Sequence, residues 1–129
     1  MFKPDAVMHY VRDVPLSAAF YAGIMGRPAS QLAPGFALFV VPGGPALGLW
    51  QRQEVQPTAL GVPGACELTM VVASAADVER MHAAWLALGV EIAQAPATLA
   101  FGHTFVGLDP DGHRLRVHSR AEGLPPREA

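Results

Sequence analysis

Two stretches of the chain decide its fold: AVMHYVRDVPLSAAFYAGIMG at residues 6–26, and ELTMVVASAADVERMHAAWLALG at residues 67–89. Each opens on a short apolar run that reads as a strand and continues into a capped helix stopped by glycine. In the first, Asp13 is a good N-cap, Pro15 suits a first helical turn, Phe20, Tyr21 and Ile24 share an apolar face, and Gly26 ends the helix. In the second, Ser74 and Asp77 resemble a capping box, Val78, Met81, Trp85 and Leu88 line one helical face, and Gly89 ends the helix. The segments downstream repeat as well. In the first half a short extended piece around residues 29–32 precedes strands at about 35–41 and 46–51, joined by Pro42-Gly43-Gly44. In the second half a short strand at 90–94 precedes strands at 103–108 and 114–118, joined by Asp109-Pro110-Asp111-Gly112. Gly112, matched to Gly44, supplies the positive φ that such a turn needs.

The order β-α-β-β-β therefore occurs twice, and a fixed internal repeat is the strongest organisational signal a sequence carries. The fold class this predicts is α+β, two βαβββ modules whose curved mixed sheets surround a cup. Module one covers about 5–55 and module two about 66–119, within a single domain at 1–120. The linker at 56–65 is rich in turn formers, including Pro57, Gly61, Pro63 and Gly64. Residues 121–129 are polar with two prolines and are expected to be a flexible tail.

Composition narrows the function. At 129 residues, with 51% hydrophobic and 16% charged residues, the chain can bury a core and is not a disordered segment. A net charge of −2 gives no electrostatic footprint for nucleic acid, which is not expected as a partner. Gly and Pro interrupt every apolar run before membrane-spanning length, and residues 1–7 lack the pattern of a signal peptide. With one cysteine, Cys66, and no possible intrachain disulfide, a cytoplasmic location is expected.

Strand alternation sorts the side chains. Leu47 and Leu49, Leu115 and Val117, and Val7, His9 and Val11 face the helices. The opposite faces carry Tyr10, Trp50, Glu67, Thr69, Arg114, Arg116 and His118, a mixture of aromatic surface and few polar groups that suits a ligand pocket. Trp50 offers the largest flat π surface, worth about 1 kcal/mol in stacking beyond area burial. Tyr10 and Phe101 could wall a planar ligand, and His103 and His118 could reach it. Glu67 and Arg116 sit at corresponding inner positions of neighbouring strands, so an ion pair is expected, with a ligand touching its outer edge. Trp85 belongs to the core stripe. The five histidines form no cluster by sequence, Cys66 has no basic neighbour in sequence to activate it, and no catalytic constellation stands out.

Tyr10-Val11-Arg12-Asp13 with Ser17, Phe20, Tyr21 and Gly26, and Phe101-Gly102 with Asp109-Pro110-Asp111-Gly112-His113-Arg114-Leu115, resemble the opening and closing motifs of the vicinal-oxygen-chelate (glyoxalase/bleomycin resistance/dioxygenase) superfamily. The resemblance spans about residues 7–119 and implies paired modules, commonly in a homodimer. Metal-dependent members place ligands at points that fall here on Ala6, Gly48, Glu67 and Arg116. Of these only Glu67 can bind a metal, so no metal and no other cofactor is expected, and no catalytic residue is assigned. Leu49-Trp50, Glu67, Phe101-Gly102-His103-Thr104-Phe105 and Arg116-Val117 resemble the pattern of phenazine antibiotic resistance proteins. That resemblance implies a metal-free protein sequestering a planar aromatic compound such as a phenazine-type antibiotic. The alternative is a metal-dependent lyase, isomerase or dioxygenase of the same superfamily, for example using Glu67 with His103 and His118.

Overall fold

In the computed structural model, which describes residues 1–120, the chain divides into two compact units, Met1–Val62 and a second beginning at Pro63. The tail expected at 121–129 lies outside the described residues. The first unit runs β1 (Ala6–Val11), α1 (Val14–Met25), β2 (Gln31–Ala33), β3 (Phe36–Phe39) and β4 (Ala46–Gln51), closed by a short 3-10 turn at Arg52–Glu54. The second runs β5 (Glu67–Val72), α2 (Ala75–Ala87), β6 (Glu91–Leu99), β7 (Gly102–Leu108) and β8 (Arg114–Ser119). Both build the same four-stranded mixed sheet, in the orders β1-β4-β3-β2 and β5-β8-β7-β6. The first and last strands of each unit pair in parallel, and the other neighbours are antiparallel. A parallel pair needs a long crossover, which the helix and the two intervening strands supply. The α+β class with paired βαβββ units is thus the observed architecture.

The helix ends follow their sequence signals. The Asp13 carboxylate accepts from the Leu16 N–H at 3.0 Å, Pro15 sits in the first turn, and Gly26 closes α1 at φ +69°. Ser74 Oγ accepts from the Asp77 N–H, and Gly89 (φ +80°) follows the end of α2. Gln51 fixes the corner between β1 and α1: its side-chain amide donates to the Arg12 carbonyl, and its oxygen accepts from the Val14 N–H.

Each helix covers one face of its own sheet. Val14, Ser17, Ala18 and Tyr21 are the buried face of α1, at the i, i+3, i+4, i+7 spacing. Tyr21 packs on Phe39, and its hydroxyl lies 3.3 Å from Nδ1 of the buried His9. In α2, Trp85 stands edge-on to Phe105 at 5.1 Å, and His82 does the same at 5.3 Å. Leu88 is 57% exposed, so the apolar stripe ends in His82 and Trp85 instead of reaching Leu88. Gly107 lets Trp85 lie against β7, since a Cβ there would come within 2.8 Å of the indole.

Three local details differ from the sequence reading. The residue with positive φ in the first unit's hairpin is Gly43 (+75°), so Gly43, not Gly44, is the counterpart of Gly112 (+97°). The 3-10 turn after β4 has no sequence signal that marked it. The strand expected at 90–94 extends through nine residues, Glu91–Leu99, because two register shifts absorb Pro96 on an edge strand.

Candidate functional site

Contacts to the helices identify the covered face of each sheet, and register then fixes what lies on the other. In the first unit the open face carries two rows across β1, β4 and β3. One is Tyr10, Trp50 and Phe36; the other is Met8, Gly48 and Leu38. The Tyr10 and Trp50 rings meet edge-on at 6.3 Å. Trp50, Tyr10 and Phe36 are each half-buried, which leaves part of each ring accessible. Met8 lies across Gly48 so closely that a Cβ on the glycine would overlap its sulfur. This face is apolar and aromatic throughout.

The second unit has the same lattice of positions with different chemistry. Thr69, Arg116, Val106 and Gln94 form one row, Glu67, Arg114 and Leu108 another, and Val71, His118 and Thr104 a third. Arg116 is the centre. Its Nε donates to Glu67 Oε1 at 2.7 Å, and its Nη1 donates to Gln94 Oε1 and Thr104 Oγ1, each at 3.2 Å. Thr104 can accept because its own proton goes to the Val117 carbonyl at 2.9 Å. Glu67 and Arg116 are diagonal neighbours on adjacent strands, so the expected ion pair forms across the register step. The Phe101 ring caps the arrangement, 5.5 Å from the Arg116 guanidinium carbon and edge-on to His118 at 5.4 Å. A cavity of about 220 Å³ opens beside it, lined by Ala93, Gln94, Val106, Arg114 and Arg116.

The turn that presents Arg114 and Arg116 is built by Asp109. Its Oδ1 accepts from the N–H groups of Asp111 (2.9 Å) and His113 (2.8 Å), and Gly112 closes the loop onto the Asp109 carbonyl. That fixes where β8 begins, and therefore which face its arginines take.

The structure gathers Glu67, Arg116, Phe101 and His118 on one open face and Tyr10 with Trp50 on the other unit's open face. His103 is placed differently from its expected position. It lies on the same side of β7 as Phe105, facing α2, where Nε2 meets Glu79 at 2.8 Å and Nδ1 meets Thr98 Oγ1 at 3.0 Å. Strand parity is the reason: residues 103, 105 and 107 share the helix side. A metal set using Glu67, His103 and His118 therefore cannot converge, because the two histidines stand on opposite faces of the sheet. Sequence reasoning left Gln94, Thr104, Met8 and Phe36 out of the candidate set. Thr104 and Phe36 had a usable signal, the alternation against Phe105 and Ala37, whereas Gln94 was hidden by the apparent end of its strand.

A divalent ion at the four points used by metal-dependent relatives does not fit these residues. Ala6 and Gly48 carry no donor, and Met8 fills the space above Gly48 with a thioether, a soft sulfur that hard divalent ions disfavour. In the other unit Glu67 is already engaged by Arg116, a permanent cation. Among the described residues no helix is long and apolar enough to cross a membrane.

Comparison with known proteins agrees with this architecture. The family model for the Glyoxalase/Bleomycin resistance protein/Dioxygenase superfamily matches residues 3–117, and the chain belongs to that superfamily. The phenazine antibiotic resistance protein EhpR of Enterobacter agglomerans is 28% identical over 117 residues, which cover 88% of this chain and 89% of that protein. A solution NMR structure of an Agrobacterium tumefaciens protein is 42% identical, covers 94% of this chain and 99% of its own, and superimposes with a TM-score of 0.86. A glyoxalase-related enzyme from Fulvimarina pelagi shares the fold at a TM-score of 0.82 with 21% identity, covering 93% of this chain and 89% of that one.

Proposed function

We propose that this protein binds a planar aromatic small molecule without a metal ion and without catalysing its conversion, with a phenazine-type antibiotic as the leading candidate. The observation that carries the reading is the fate of the four family ligand points. One pair has become an apolar surface with Met8 over Gly48, and the other an arginine–glutamate pair, while Trp50, Tyr10 and Phe36 form an accessible aromatic row. Such a row gives a flat ligand stacking contact worth about 1 kcal/mol beyond the area it buries. The likeness to a phenazine antibiotic resistance protein supports the ligand class.

The proposed protein works as a homodimer in the cytoplasm. Met8, Met70 and Val71, on the edge strands β1 and β5, are 44%, 43% and 38% exposed, and apolar edge strands of this kind are ordinarily covered by a partner. Light scattering during gel filtration checks the dimer. For the ligand, phenazines and other tricyclic aromatics are titrated while tryptophan emission is followed, beside a Trp50→Leu variant. Saturable quenching that the variant loses is the expected result. A varied panel giving neither quenching nor heat of binding would sink the reading, as would a stoichiometric chelator-removable metal in the purified protein.

A further inference from the structure

Gly48 has no conformational reason to be glycine. Its φ lies outside the left-handed region, so other residues could adopt its backbone, and a glycine inside a strand weakens the strand. What it supplies is room on the open face of the first sheet. The three heavy atoms nearest to a Cβ built there, Sδ, Cε and Cγ, all belong to Met8, a residue that is 44% exposed. Along β4 the neighbours of Gly48 on this face are Ala46 and Trp50. Across the strands they are Met8 on β1 and Leu38 on β3, roughly 10 Å apart. The sheet therefore carries a trough with a floor of Ala46 and Gly48 and an indole at one end. The Met8 thioether lies across that floor.

We infer that this trough seats the far ring of the bound aromatic compound, and that Met8 sets its fit by swinging off Gly48 to lay its sulfur against that ring. The inference rests on the reading above, concerns the first unit alone, and narrows the ligand class from planar aromatics in general to fused systems of three rings. Trp50 and Gly48 are two residues apart on β4, a span of roughly 7 Å. A system of two fused rings stacked on the indole falls short of that span, whereas three rings reach the trough. Methionine suits the role because it is unbranched, has three rotatable bonds, and its polarisable sulfur makes favourable contacts with aromatic rings. Displacing it costs little, since the obstacle is the flexible, exposed end of a side chain. Neither Ala46, Met8 nor Leu38 brings a charge or a hydrogen-bonding group, so an ionised substituent on the inserted ring would lose its water without a partner.

The test titrates phenazine and its two-ring counterpart quinoxaline, followed by tryptophan emission and calorimetry, into the full chain, Met8→Ala, and Met8→Ala combined with Gly48→Ala. The nearest atoms to the new methyl are those that Met8→Ala removes, so the double variant is expected to fold, and circular dichroism verifies this. Phenazine should bind the full chain about tenfold more tightly than quinoxaline, through the added ring and its sulfur contact. Met8→Ala should weaken phenazine about fivefold, and the added Gly48→Ala methyl should weaken it about tenfold further by raising the floor. With the five methionines carrying ¹³C methyl groups, phenazine should shift the Met8 methyl signal, assigned from a Met8→Leu spectrum, more than the other four. Equal affinity for the two probes, a Met8 methyl that bound phenazine leaves unmoved, or a double variant that binds as tightly as Met8→Ala overturns the trough while the aromatic-ligand reading stands. Absence of quenching and of heat with both probes overturns the trough and the aromatic-ligand reading together.

Discussion

The two units use one topology to carry opposite surfaces. Strand position by strand position, Ala6 corresponds to Glu67, Met8 to Thr69, Gly48 to Arg116, and Trp50 to His118. In the first unit these places hold an aromatic row and a thioether seated on a glycine; in the second they hold a guanidinium with three hydrogen-bonded partners. The helix-facing sides differ far less, since both must pack a helix with aliphatic and aromatic side chains. What the contrast teaches is where a duplicated fold is free to change. The buried side is constrained by packing density, where a misplaced methylene is felt. The open side is constrained only by having its polar groups satisfied, and two quite different solutions meet that condition.

The largest effect is expected from making the second face resemble the first. Arg116→Met removes the cation and leaves Glu67, Gln94 and Thr104 without their donor. The arginine side chain is only 15% exposed but Glu67 keeps 30%, so water recovers part of the loss, and a cost of about 2 kcal/mol is expected in urea unfolding. Adding Glu67→Gln to Arg116→Met should restore about half of it, because the uncompensated carboxylate is then gone. Strict additivity of the two changes in a double-mutant cycle would show that the pair is not coupled, and the contrast between the faces would lose its electrostatic half.

How much of this could be read beforehand follows the same division. Caps and turns were legible because single residues determine them: Asp13, Pro15 and Gly26 for α1, Ser74 for α2, and Asp109 to Gly112 for the last hairpin. Face assignment on β1, β4 and β8 was legible because clean alternation leaves one solution, and it brought Glu67 and Arg116 together from residues 49 apart in sequence. Strand β6 was not. Its Pro96 signals a stop, yet an edge strand tolerates proline, and two irregularities carry the strand past it, so Gln94 sits mid-strand within reach of Arg116. His103 was misplaced because its residue type suggested a ligand while its parity with Phe105 pointed to the helix. In such a conflict parity wins, because Phe105 is fully buried against Trp85 and cannot turn over. The cavity beside Arg114 depends on where β6 runs, which is why the sequence did not reveal it.

A smaller effect tests the first face from its own side. Gly48→Ala places a methyl where the Met8 sulfur lies, but the obstacle is the end of a flexible side chain that is 44% exposed. Met8 should swing outward, with a loss of less than about 1 kcal/mol. The companion change Met8→Ala made together with Gly48→Ala should show that the methyl itself is accommodated, the pair costing no more than Met8→Ala alone. If Gly48→Ala costs several kcal/mol, Met8 is held rigidly and the first face is packed like a core, which would remove the distinction between open and covered sides.

The smallest effect extends the comparison to the helix starts. In α1 the cap is a carboxylate, Asp13, acting on the Leu16 N–H; in α2 it is a hydroxyl, Ser74, backed by a carboxylate at Asp77. The hydrogen bond from the Ser74 hydroxyl, together with the guanidinium of Arg80, holds the Asp77 carboxyl below the ordinary aspartate value. A carboxylate whose folded value is depressed binds its proton more readily when unfolded. Its contribution to the α2 N-terminus is therefore fully present above the ordinary aspartate range and is lost as pH falls through the lowered folded value. The Asp77 side chain lies at the surface, 31% exposed, so solvent screens these interactions and the readout is local rather than global: an NMR titration of its carboxyl carbon, with amide exchange across residues 75–79. The midpoint should lie below that of an unstructured aspartate, and amide protection in the first turn of α2 should fall across the same interval. Ser74→Ala should move the midpoint back toward the ordinary value and weaken protection even at neutral pH, since it removes both the cap and the cause of the shift. Arg80→Gln should move the midpoint less and leave the neutral-pH protection unchanged, because the hydroxyl cap survives. If Arg80→Gln produced the larger return, the guanidinium would be the main cause of the shift, and the start of α2 would depend on charge, as the open face of its own sheet does.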